Sequence, residues 1–319
     1  MAVPLSEWLR LMETEYLDGF IASGGAAVKI VVAPEVDAVR ETLARVAGIA
    51  LEKGYLLAWV DAAQVQVQMV DQLFHAVARQ VDWSETMERW LRERFAENGY
   101  TIPEGVELAA VDAIAAANDT SRPQLLAEIR RWIKNTLTAD GSLCKEFRTA
   151  LSMLAWGLVS PQNVNPNDAE VVRQWLRGEK CPLGTLKRLQ IHQRIGRHNA
   201  RLMLTSLTAF LPKLGYKGAL LAVDLCAVVS DSPLLDAPLR YSRAAVQDAY
   251  EMLRQFIDGT DEMQHFLLVA AAGPGLVFND KRGLDCYSAL KLRTSDDVRV
   301  RNHANPLGAL VRLEGGIAE

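Results

Sequence analysis

The amino-acid sequence predicts an α/β protein with a parallel sheet and a large helical insertion. Short β-rich or apolar runs at residues 28–32, 219–223 and 266–271 have the length and composition of buried strands. Between the first and second of these runs, residues 65–210 have helical period almost throughout. We therefore divide the chain into an N-terminal helix with the first part of the α/β core (residues 1–64), the helical insertion (65–212) and the remainder of the core (213–319).

The first part of the core consists of a helix and a β-α-β unit. Apolar residues recur at helical spacing over residues 5–20, and a Ser-Gly-Gly turn ends that pattern before the strand at residues 28–32. An amphipathic helix at residues 35–51 then leads to a second strand at residues 55–60. The crossover between the two strands is short and helical, which is typical of parallel strands.

Residue pairs typical of helix ends divide the helical insertion. They are Asn98-Gly99, Asn118-Asp119, Asp140-Gly141, Ser160-Pro161 and Arg177-Gly178. The turn-rich loop NVNPND follows the fourth of these stops and offers Asn167 or Asp168 as the N-cap of the next helix. We interpret the tryptophans of the insertion as packing residues, with a platform for stacked bases as the alternative.

The α/β pattern resumes after the insertion. A strand at residues 219–223 ends in Asp224, a helix follows at residues 242–257, and a strand at residues 266–271 runs into an Ala-Gly-Pro turn. Ligand sites of open parallel sheets lie at the carboxyl ends of the strands. The strand ends at which to look for a site are therefore Ala33, Asp61, Asp224 and Gly273.

Composition restricts the functions available to the chain. Its 319 residues are 50% hydrophobic and carry a net charge of −4, so the whole protein has no attraction for nucleic acid or anionic membranes. The cysteines form no CxxC pair, and His75, His265 and His303 lack ligand partners at metal-binding spacing, so we predict no metal site. The N-terminal segment is acidic, unlike a signal peptide, and no run reaches the ~18 apolar residues of a membrane span. We expect a cytoplasmic protein without membrane contact.

The loop after the first strand has the position of a phosphate-binding loop but not its residues. Such a loop needs glycines for inward-facing N–H groups, a lysine for the phosphate oxygens and a Ser or Thr hydroxyl for Mg²⁺. Here Pro34 removes one N–H donor, and Glu35 and Asp37 place negative charge beside the phosphate position. Val39 and Arg40 stand where Lys and Ser/Thr are expected. The alternative is a β-α-β unit that never bound a nucleotide.

The order of segments resembles the BrxD-like ATP-binding proteins of BREX bacteriophage-defence loci, a branch of the AAA+/STAND-like P-loop ATPases. The resemblance depends on SGGAAVKIVVAPEVDAVRETL with EKGYLLAWVD, on WLRGE with RIGRHNARLMLTSLTAFLPKLGYKGALLAVD, and on DKRGLDCYSALKLR with NPLGALVRL. It implies a P-loop NTPase fold. The match places the glycines of the family's phosphate loop on Ala33, Val36 and Ala38, its lysine on Val39 and its Ser/Thr on Arg40.

The same resemblance assigns positions to the other catalytic elements. The family's acidic strand end, in which Asp orders Mg²⁺ and Glu polarises water, falls on Asp224 and Leu225. Leucine cannot accept a proton, and a lone carboxylate without bound phosphate is a poor Mg²⁺ site. The polar sensor position falls on Gly273. Arg293 matches a position that could face a neighbouring site, or it is a surface or helix-capping arginine.

A basic segment in the insertion is the best candidate for contact with DNA or an acidic partner. Its basic residues are Lys187, Arg188, Arg194, Arg197 and Arg201. They are distributed around a helical pattern and do not follow one stripe, and the family resemblance implies a structural helix at this point.

Three functional hypotheses follow. In the first, the chain is a non-catalytic pseudo-ATPase without cofactor that serves as an interaction component of a multi-protein defence or DNA-processing complex. The partners implied by the resemblance are an active ATPase paralogue, a helicase or another defence subunit, with DNA reached through the complex. In the second, the chain is an ATPase whose unorthodox site uses Arg40, Asp224 and Arg293. In the third, it is a DNA-binding adaptor that uses the basic segment.

Overall fold

A computed structural model describes residues 2–160, 166–231, 238–295 and 305–315. The strands among them are β1 (Ala26–Val32), β2 (Leu56–Asp61), β3 (Ala219–Asp224), β4 (Phe266–Ala272) and β5 (Leu310–Arg312). All the pairings between these strands are parallel, and the described residues form one five-stranded sheet in the order β2-β3-β4-β1-β5. The predicted α/β fold with a parallel sheet is thereby confirmed.

The helices complete the secondary structure. In chain order they are α1 (Leu5–Leu11), α2 (Val36–Glu52), α3 (Val70–Arg79), α4 (Trp83–Glu97), α5 (Val111–Ala117), α6 (Arg122–Ile133), α7 (Lys145–Val159), α8 (Pro166–Arg177), α9 (Leu183–Arg188), α10 (Ala200–Phe210), α11 (Cys226–Val229), α12 (Arg243–Asp258), α13 (Gly275–Phe278) and α14 (Ser288–Thr294). A π-helical segment, Met12–Phe20, extends α1, and another, Lys134–Thr138, extends α6. No helix of the described part of the chain is long and apolar enough to cross a membrane.

The three central strands are buried along their whole length. Every residue of β1, β3 and β4 is buried, which explains why their sequences are nearly continuous apolar runs without polar alternation. One face is covered by α2, whose buried residues include Val39, Leu43 and Val46. On β4, Phe266 meets Phe256 of α12 with ring centroids 6.1 Å apart. The sheet is therefore enclosed by helices on both sides.

Strand β5 was not predicted from the sequence. It is three residues long, and only its middle residue, Val311, is buried, so it lacks the apolar run that identifies the other strands. Its position is determined by backbone hydrogen bonds: Ile30 N–H donates to Ala309 at 2.7 Å, and Leu313 N–H donates to Val32 at 2.9 Å. The strand thus pairs with the free edge of β1.

The two strands of the predicted β-α-β unit are parallel but are not neighbours. Strands β3 and β4 lie between β2 and β1. The connection from β1 leads to β2 on one side, and the connection from β4 leads to β5 on the other. The carboxyl ends of the neighbouring strands β1 and β4 therefore lie where the connections change direction along the sheet, which is the usual ligand position in open α/β sheets.

Lys29 is a buried lysine in the middle of β1. Its side chain is 3% exposed, and its ammonium group donates to the Tyr16 hydroxyl and to the Leu307 carbonyl, each at 2.5 Å. A third bond, 3.1 Å long, reaches the carbonyl of Gly308, and the ammonium lies 4.1 Å from the centre of the Tyr16 ring. These contacts join β1 to the segment before β5 and supply the polar partners that a buried charge needs.

By its internal contacts the chain divides into two compact units. One comprises the residues up to Val77 and from Gly215 onwards, and contains the sheet; the other, the helical unit, is Ala78–Leu214. Within the helical unit, α4, α5 and α8 end at Glu97, Ala117 and Arg177, immediately before or within the stop signals read from the sequence. The predicted domain boundaries after residues 64 and 212 stay a prediction, because compactness does not measure independent folding.

One predicted helix cap is wrong. Asn167 or Asp168 was expected to cap the helix that follows the NVNPND loop, but α8 begins at Pro166 and both residues lie inside it. Proline is well suited to the first turn of a helix because that turn has no use for its missing N–H. Part of the loop, residues 161–165, lies outside the described residues.

Gly218 is the position where the sheet unit is least tolerant of a side chain. Its φ is +153°, and an added Cβ would lie 2.4 Å from the carbonyl oxygen of His265. We expect Gly218→Ala to lower the free energy of unfolding by about 2–4 kcal/mol, because strain and a backbone clash combine. Gly48, in the middle of α2, has nothing within 4 Å of its added Cβ. Gly48→Ala should instead stabilise the protein by about 0.5–1 kcal/mol in the same denaturant titration; equal effects of the two changes would contradict this account.

Candidate functional site at the carboxyl edge of the sheet

The loop after β1 packs directly against the end of β4. Ala33 N–H donates to the Ala272 carbonyl at 2.9 Å, so this amide is used in the sheet. A Cβ added to Gly273 would lie 3.0 Å from a methyl group of Val36. The start of α2 is therefore in close contact with the turn after β4.

The positions matched to the phosphate loop differ widely in exposure. Ala33 and Val39 are completely buried, and Val39 belongs to the apolar cluster between α2 and the sheet. Ala38 is half-buried and packs against that cluster, whereas Val36 is 49% exposed. At the position matched to the family's lysine, the side chain is therefore a core residue, and at the Ser/Thr position the Arg40 side chain is 74% exposed.

Arg40 joins the two acidic residues at the strand ends. Asp61 of β2 and Asp224 of β3 are direct partners in the strand register. The Arg40 Nη2 atom lies 3.3 Å from Asp61 Oδ2, and its Nε atom lies 3.8 Å from Asp224 Oδ2. One guanidinium from the first turns of α2 thus bridges both carboxylates. The sequence identified each strand end but not this grouping, because the register of β2 against β3 is a tertiary property.

Asp224 is a buried carboxylate with its remaining oxygen already in use. The residue is 4% exposed, and its Oδ1 accepts a hydrogen bond from the Cys226 backbone N–H at 2.9 Å. Burial raises the pKa of the Cys226 thiol well above its usual range, and the neighbouring Asp224 raises it further. At neutral pH the thiol is therefore protonated, and Arg40 supplies the positive charge that faces Asp224.

Leu225 is the residue that the sequence resemblance matches to the family's catalytic glutamate. Its side chain is completely buried, and its backbone N–H donates to the Ala271 carbonyl at 2.8 Å. A hydrocarbon side chain in this position can neither accept a proton nor orient a water molecule.

The loop after β2 is held in place by Tyr241. The tyrosine hydroxyl donates to the carbonyls of Ala62 and Val65 at 3.0 and 2.8 Å, and accepts from the Val67 N–H at 3.2 Å. Burial raises the pKa of Tyr241 to about 12, so the hydroxyl stays a neutral donor. This arrangement fixes the backbone beside Asp61.

A groove of about 970 Å³ lies next to the loop after β1. Its walls carry the carboxylates of Glu35, Glu41 and Glu314 and a single guanidinium, that of Arg45. Arg45 is already paired with Glu41 at 2.9 Å. The groove therefore has an excess of negative charge and repels polyphosphates.

Arg293 does not join Arg40 and Asp224. It lies on α14, where its Nε is 3.1 Å from Asp258 Oδ1 on α12. The pKa of Asp258 is lowered, first of all by the hydrogen bond from Arg293. The described contacts of this arginine hold two helices of the sheet unit together, and its role toward a neighbouring protein stays a prediction.

The basic segment of the helical unit is not a continuous helix. The expectation of a structural helix at residues 187–201 is wrong: α9 ends at Arg188, residues 189–199 are turns and irregular backbone, and α10 begins at Ala200. Turns replace the helix where Gly196 and Asn199 close a loop, since Gly196 N–H donates to the Asn199 side chain at 2.8 Å.

The basic residues of this segment have different surroundings. Arg188 binds both oxygens of the buried Asp168 carboxylate, at 2.5 and 3.1 Å. Lys187, Arg194 and Arg197 are exposed, and Arg201 is partly buried. Contact of these side chains with DNA stays a prediction. Among the described residues no group of three or more His, Cys, Asp or Glu is placed to hold a metal ion, and His303 lies outside those residues.

The comparison with protein families gives one match. The model of the family "BREX system ATP-binding protein BrxC/D" matches residues 61–316, a range that starts at the end of β2 and therefore excludes the loop after β1. No curated protein matches the chain. No solved structure matches it either. The family match confirms the resemblance inferred from the sequence.

The pairing of Arg188 with Asp168 predicts unequal effects of mutations in the basic segment. Arg188→Ala leaves a buried carboxylate without its cation, so we expect the free energy of unfolding to fall by about 1–3 kcal/mol. Arg194→Ala removes an exposed charge and should change it by no more than about 0.5 kcal/mol. Denaturant unfolding followed by tryptophan fluorescence measures both changes. Similar values for the two variants would rule out a structural role for Arg188.

The carboxylate of Glu251 on α12 predicts a pH dependence of stability. Hydrogen bonds from Arg254, then Tyr287 and Gln255, lower its pKa to about 2 from an ordinary value near 4.5. Its contribution to stability is thus complete above about pH 4.5 and is lost as the pH falls toward 2. We expect Glu251→Gln to make the unfolding free energy less dependent on pH in this range. Glu41→Gln, which alters an exposed ion pair on α2, serves as the control. If the unfolding free energy of Glu251→Gln fell with acid as steeply as that of the wild type, Glu251 would not be the source of this pH dependence.

Proposed function

The chain belongs to the family of BREX system ATP-binding proteins BrxC/D, and from this premise we propose that it is a pseudo-ATPase of the phage-defence system. In this proposal the sheet unit keeps the scaffold of an ATP-binding protein but neither holds ATP productively nor hydrolyses it. The observation that carries the proposal is the guanidinium of Arg40 between Asp61 and Asp224. In this proposal the Arg40 guanidinium occupies the position beside the acidic strand end that Mg²⁺ would need.

Three further features support this proposal. Val39, matched to the phosphate-binding lysine, is a buried hydrocarbon, and Leu225, matched to the catalytic glutamate, is another. The adjacent groove has an excess of carboxylates over cations, which opposes the binding of a polyphosphate. Phosphoryl transfer depends almost entirely on positioning and on stabilisation of charge. Losing the lysine, the Ser/Thr hydroxyl and the base together removes nearly all of these contributions.

The proposed role is that of a structural or interaction component of a multi-protein assembly in the cytoplasm. Membership of a BREX family supports partners drawn from the same system, such as an active ATPase paralogue, a helicase or another defence subunit. DNA would then be reached through the complex. ATP hydrolysis at an unorthodox site and direct DNA binding by the basic segment are the competing outcomes of the experiments.

The first experiment is a calorimetric titration of the purified chain with MgATP and MgADP up to millimolar concentration. We expect no heat of binding at two temperatures, because the loop has no lysine, Pro34 has no N–H, and the Ala33 N–H donates to Ala272. Binding in the micromolar range, or an MgATP turnover that Asp224→Asn abolishes, would overturn the proposal. Salt-sensitive binding to duplex or single-stranded DNA would instead support a direct DNA contact.

A second experiment tests whether Arg40 occupies a cation position. Arg40→Ser removes the guanidinium and leaves two carboxylates facing each other, so we expect its affinity for Mn²⁺, used as a probe of the Mg²⁺ position, to rise by about tenfold or more over the wild type. Arg45→Ser, on the same helix and facing Glu41, should leave Mn²⁺ affinity unchanged. Equal affinities of Arg40→Ser and the wild type would show that Arg40 does not occupy a cation position.

A further inference from the structure

The groove next to the loop after β1 has walls from three segments of the sheet unit. They lie at residues 4–6, around the start of α1, within residues 34–45, and at residues 313–315 after β5. Backbone hydrogen bonds hold the segments together: Val3 N–H donates to the Arg312 carbonyl at 2.8 Å, and Glu314 N–H donates to the Val3 carbonyl at 2.9 Å. The groove is therefore preformed, and its volume of about 970 Å³ lies at the upper end of the range of ligand sites.

Two carboxylates of this groove have no cation to pair with. Glu35 and Glu314 are exposed, and neither has an ion-pair partner among the described residues, whereas Glu41 is paired with Arg45 at 2.9 Å. The Glu35 side chain makes no capping bond to α2 either. The N-terminal end of α2 contributes about half a positive charge, which two full negative charges outweigh. The groove therefore attracts cationic groups.

The wall formed by α2 also carries a deeply buried hydroxyl. Glu35, Ala38, Thr42 and Arg45 recur at helical spacing, so one face of the helix borders the groove. Thr42 is 1% exposed, and its hydroxyl makes no hydrogen bond within the described part of the chain. In contrast to the indole N–H of Trp8, which is sealed inside the sheet unit, this hydroxyl retains accessible surface. A buried, unpaired hydroxyl on the wall of a groove points to a ligand that forms a hydrogen bond with it.

The remaining lining residues favour a cation with a long hydrocarbon stem. Leu5, Ala38 and Leu313 contribute apolar side chains, and Pro4 and Pro34 contribute rings without N–H donors. Arginine and lysine side chains lay their methylene groups on apolar surface and extend the charged head to polar groups. Arginine fits best, because its five N–H donors can serve a carboxylate and a hydroxyl at the same time.

We propose that this groove binds an extended, arginine-containing segment of a partner protein. The two unpaired carboxylates lie on different segments, Glu35 before α2 and Glu314 after β5, so a segment with two cationic side chains pairs with both. A guanidinium that lies along the α2 wall also donates to the Thr42 hydroxyl. The inference names a surface for the interaction role proposed above and rests on that role, but it does not depend on the absence of ATP hydrolysis.

The test measures the fluorescence anisotropy of a labelled peptide titrated with the full chain. The peptide is Gly-Arg-Ala-Arg-Gly amide with a neutral fluorophore at its N-terminus, and matched peptides carry glutamine or glutamate in place of both arginines. We expect the arginine peptide to bind with a Kd on the order of 10–100 µM at low salt, and about tenfold more weakly at about 0.5 M salt. The glutamine and glutamate peptides should not bind. Unlabelled spermidine serves as a competitor that has the charge but no peptide backbone.

Substitutions of charged residues locate the binding in the groove. Glu35→Gln and Glu314→Gln each remove one unpaired carboxylate and should weaken binding of the arginine peptide about three- to fivefold. Asp37→Asn is the matched control and should have no effect, because Asp37 is exposed in the first turn of α2 but is not among the residues that line the groove. Arg45→Gln should strengthen binding about threefold, since it leaves Glu41 without its partner.

The hydroxyl is tested separately. Thr42→Val replaces it by a methyl group and should weaken binding of the arginine peptide about three- to tenfold. Thr42→Ser keeps the hydroxyl and should bind the peptide like the wild type. Equal affinities of the valine and serine variants would show that the hydroxyl does not contact the peptide.

Three results would overturn the proposal. They are no anisotropy change up to about 300 µM of chain, equal losses of affinity in Asp37→Asn and Glu314→Gln, and a spermidine affinity at least as high as that of the peptide, which would indicate a site for small cations. MgATP is titrated into the same samples in parallel. Nucleotide binding with intact peptide binding would overturn the pseudo-ATPase alone. Absence of both peptide and nucleotide binding would overturn the groove alone.

Discussion

The burial of β1, β3 and β4 on both faces is the constraint from which the rest of the sheet unit follows. Apolar strands without an exposed residue must be covered by helices on both sides, and their parallel register brings their carboxyl ends to one edge. Helix α2 covers one face with Val39 and Leu43. Arg40, the residue after Val39, is turned by about 100° around the helix axis from it. This rotation directs Arg40 to the sheet edge and to the acidic strand ends.

Sequence reasoning was most successful where a single local property decides the structure. The central strands were recognisable because strands buried on both faces have nearly continuous apolar sequences, and helix ends such as Glu97 and Arg177 are followed by residues that stop a helix. It failed where the outcome depends on distant residues. Strand β5 has no pattern of its own and forms because β1 offers an unpaired edge. Asp168 is a residue type that often caps helices, but it lies inside α8, where its carboxylate accepts hydrogen bonds from the distant Arg188.

The candidate site also combines features that the local sequence determines with features that depend on distant residues. That the loop after β1 has no lysine or Ser/Thr at the matched positions could be read from the sequence alone, since it concerns residue types. The ion pairs of Arg40 could not, because they require the order of the strands and the register of Asp61 against Asp224. These ion pairs neutralise the acidic strand ends with an arginine of the same chain. At this edge the carboxylates of Asp61 and Asp224 face the guanidinium of Arg40.

The order of the strands has a consequence for how the chain folds. Ala26 pairs with Phe266, so the central strand β1 cannot gain its main partner until most of the polypeptide has left the ribosome. Contacts so distant in sequence form slowly. The helical unit, Ala78–Leu214, is encoded between them, so all of it has been synthesised while β1 still exposes its apolar residues. During synthesis this strand needs protection from aggregation, and a chaperone-depleted translation system should reveal that need as insoluble protein.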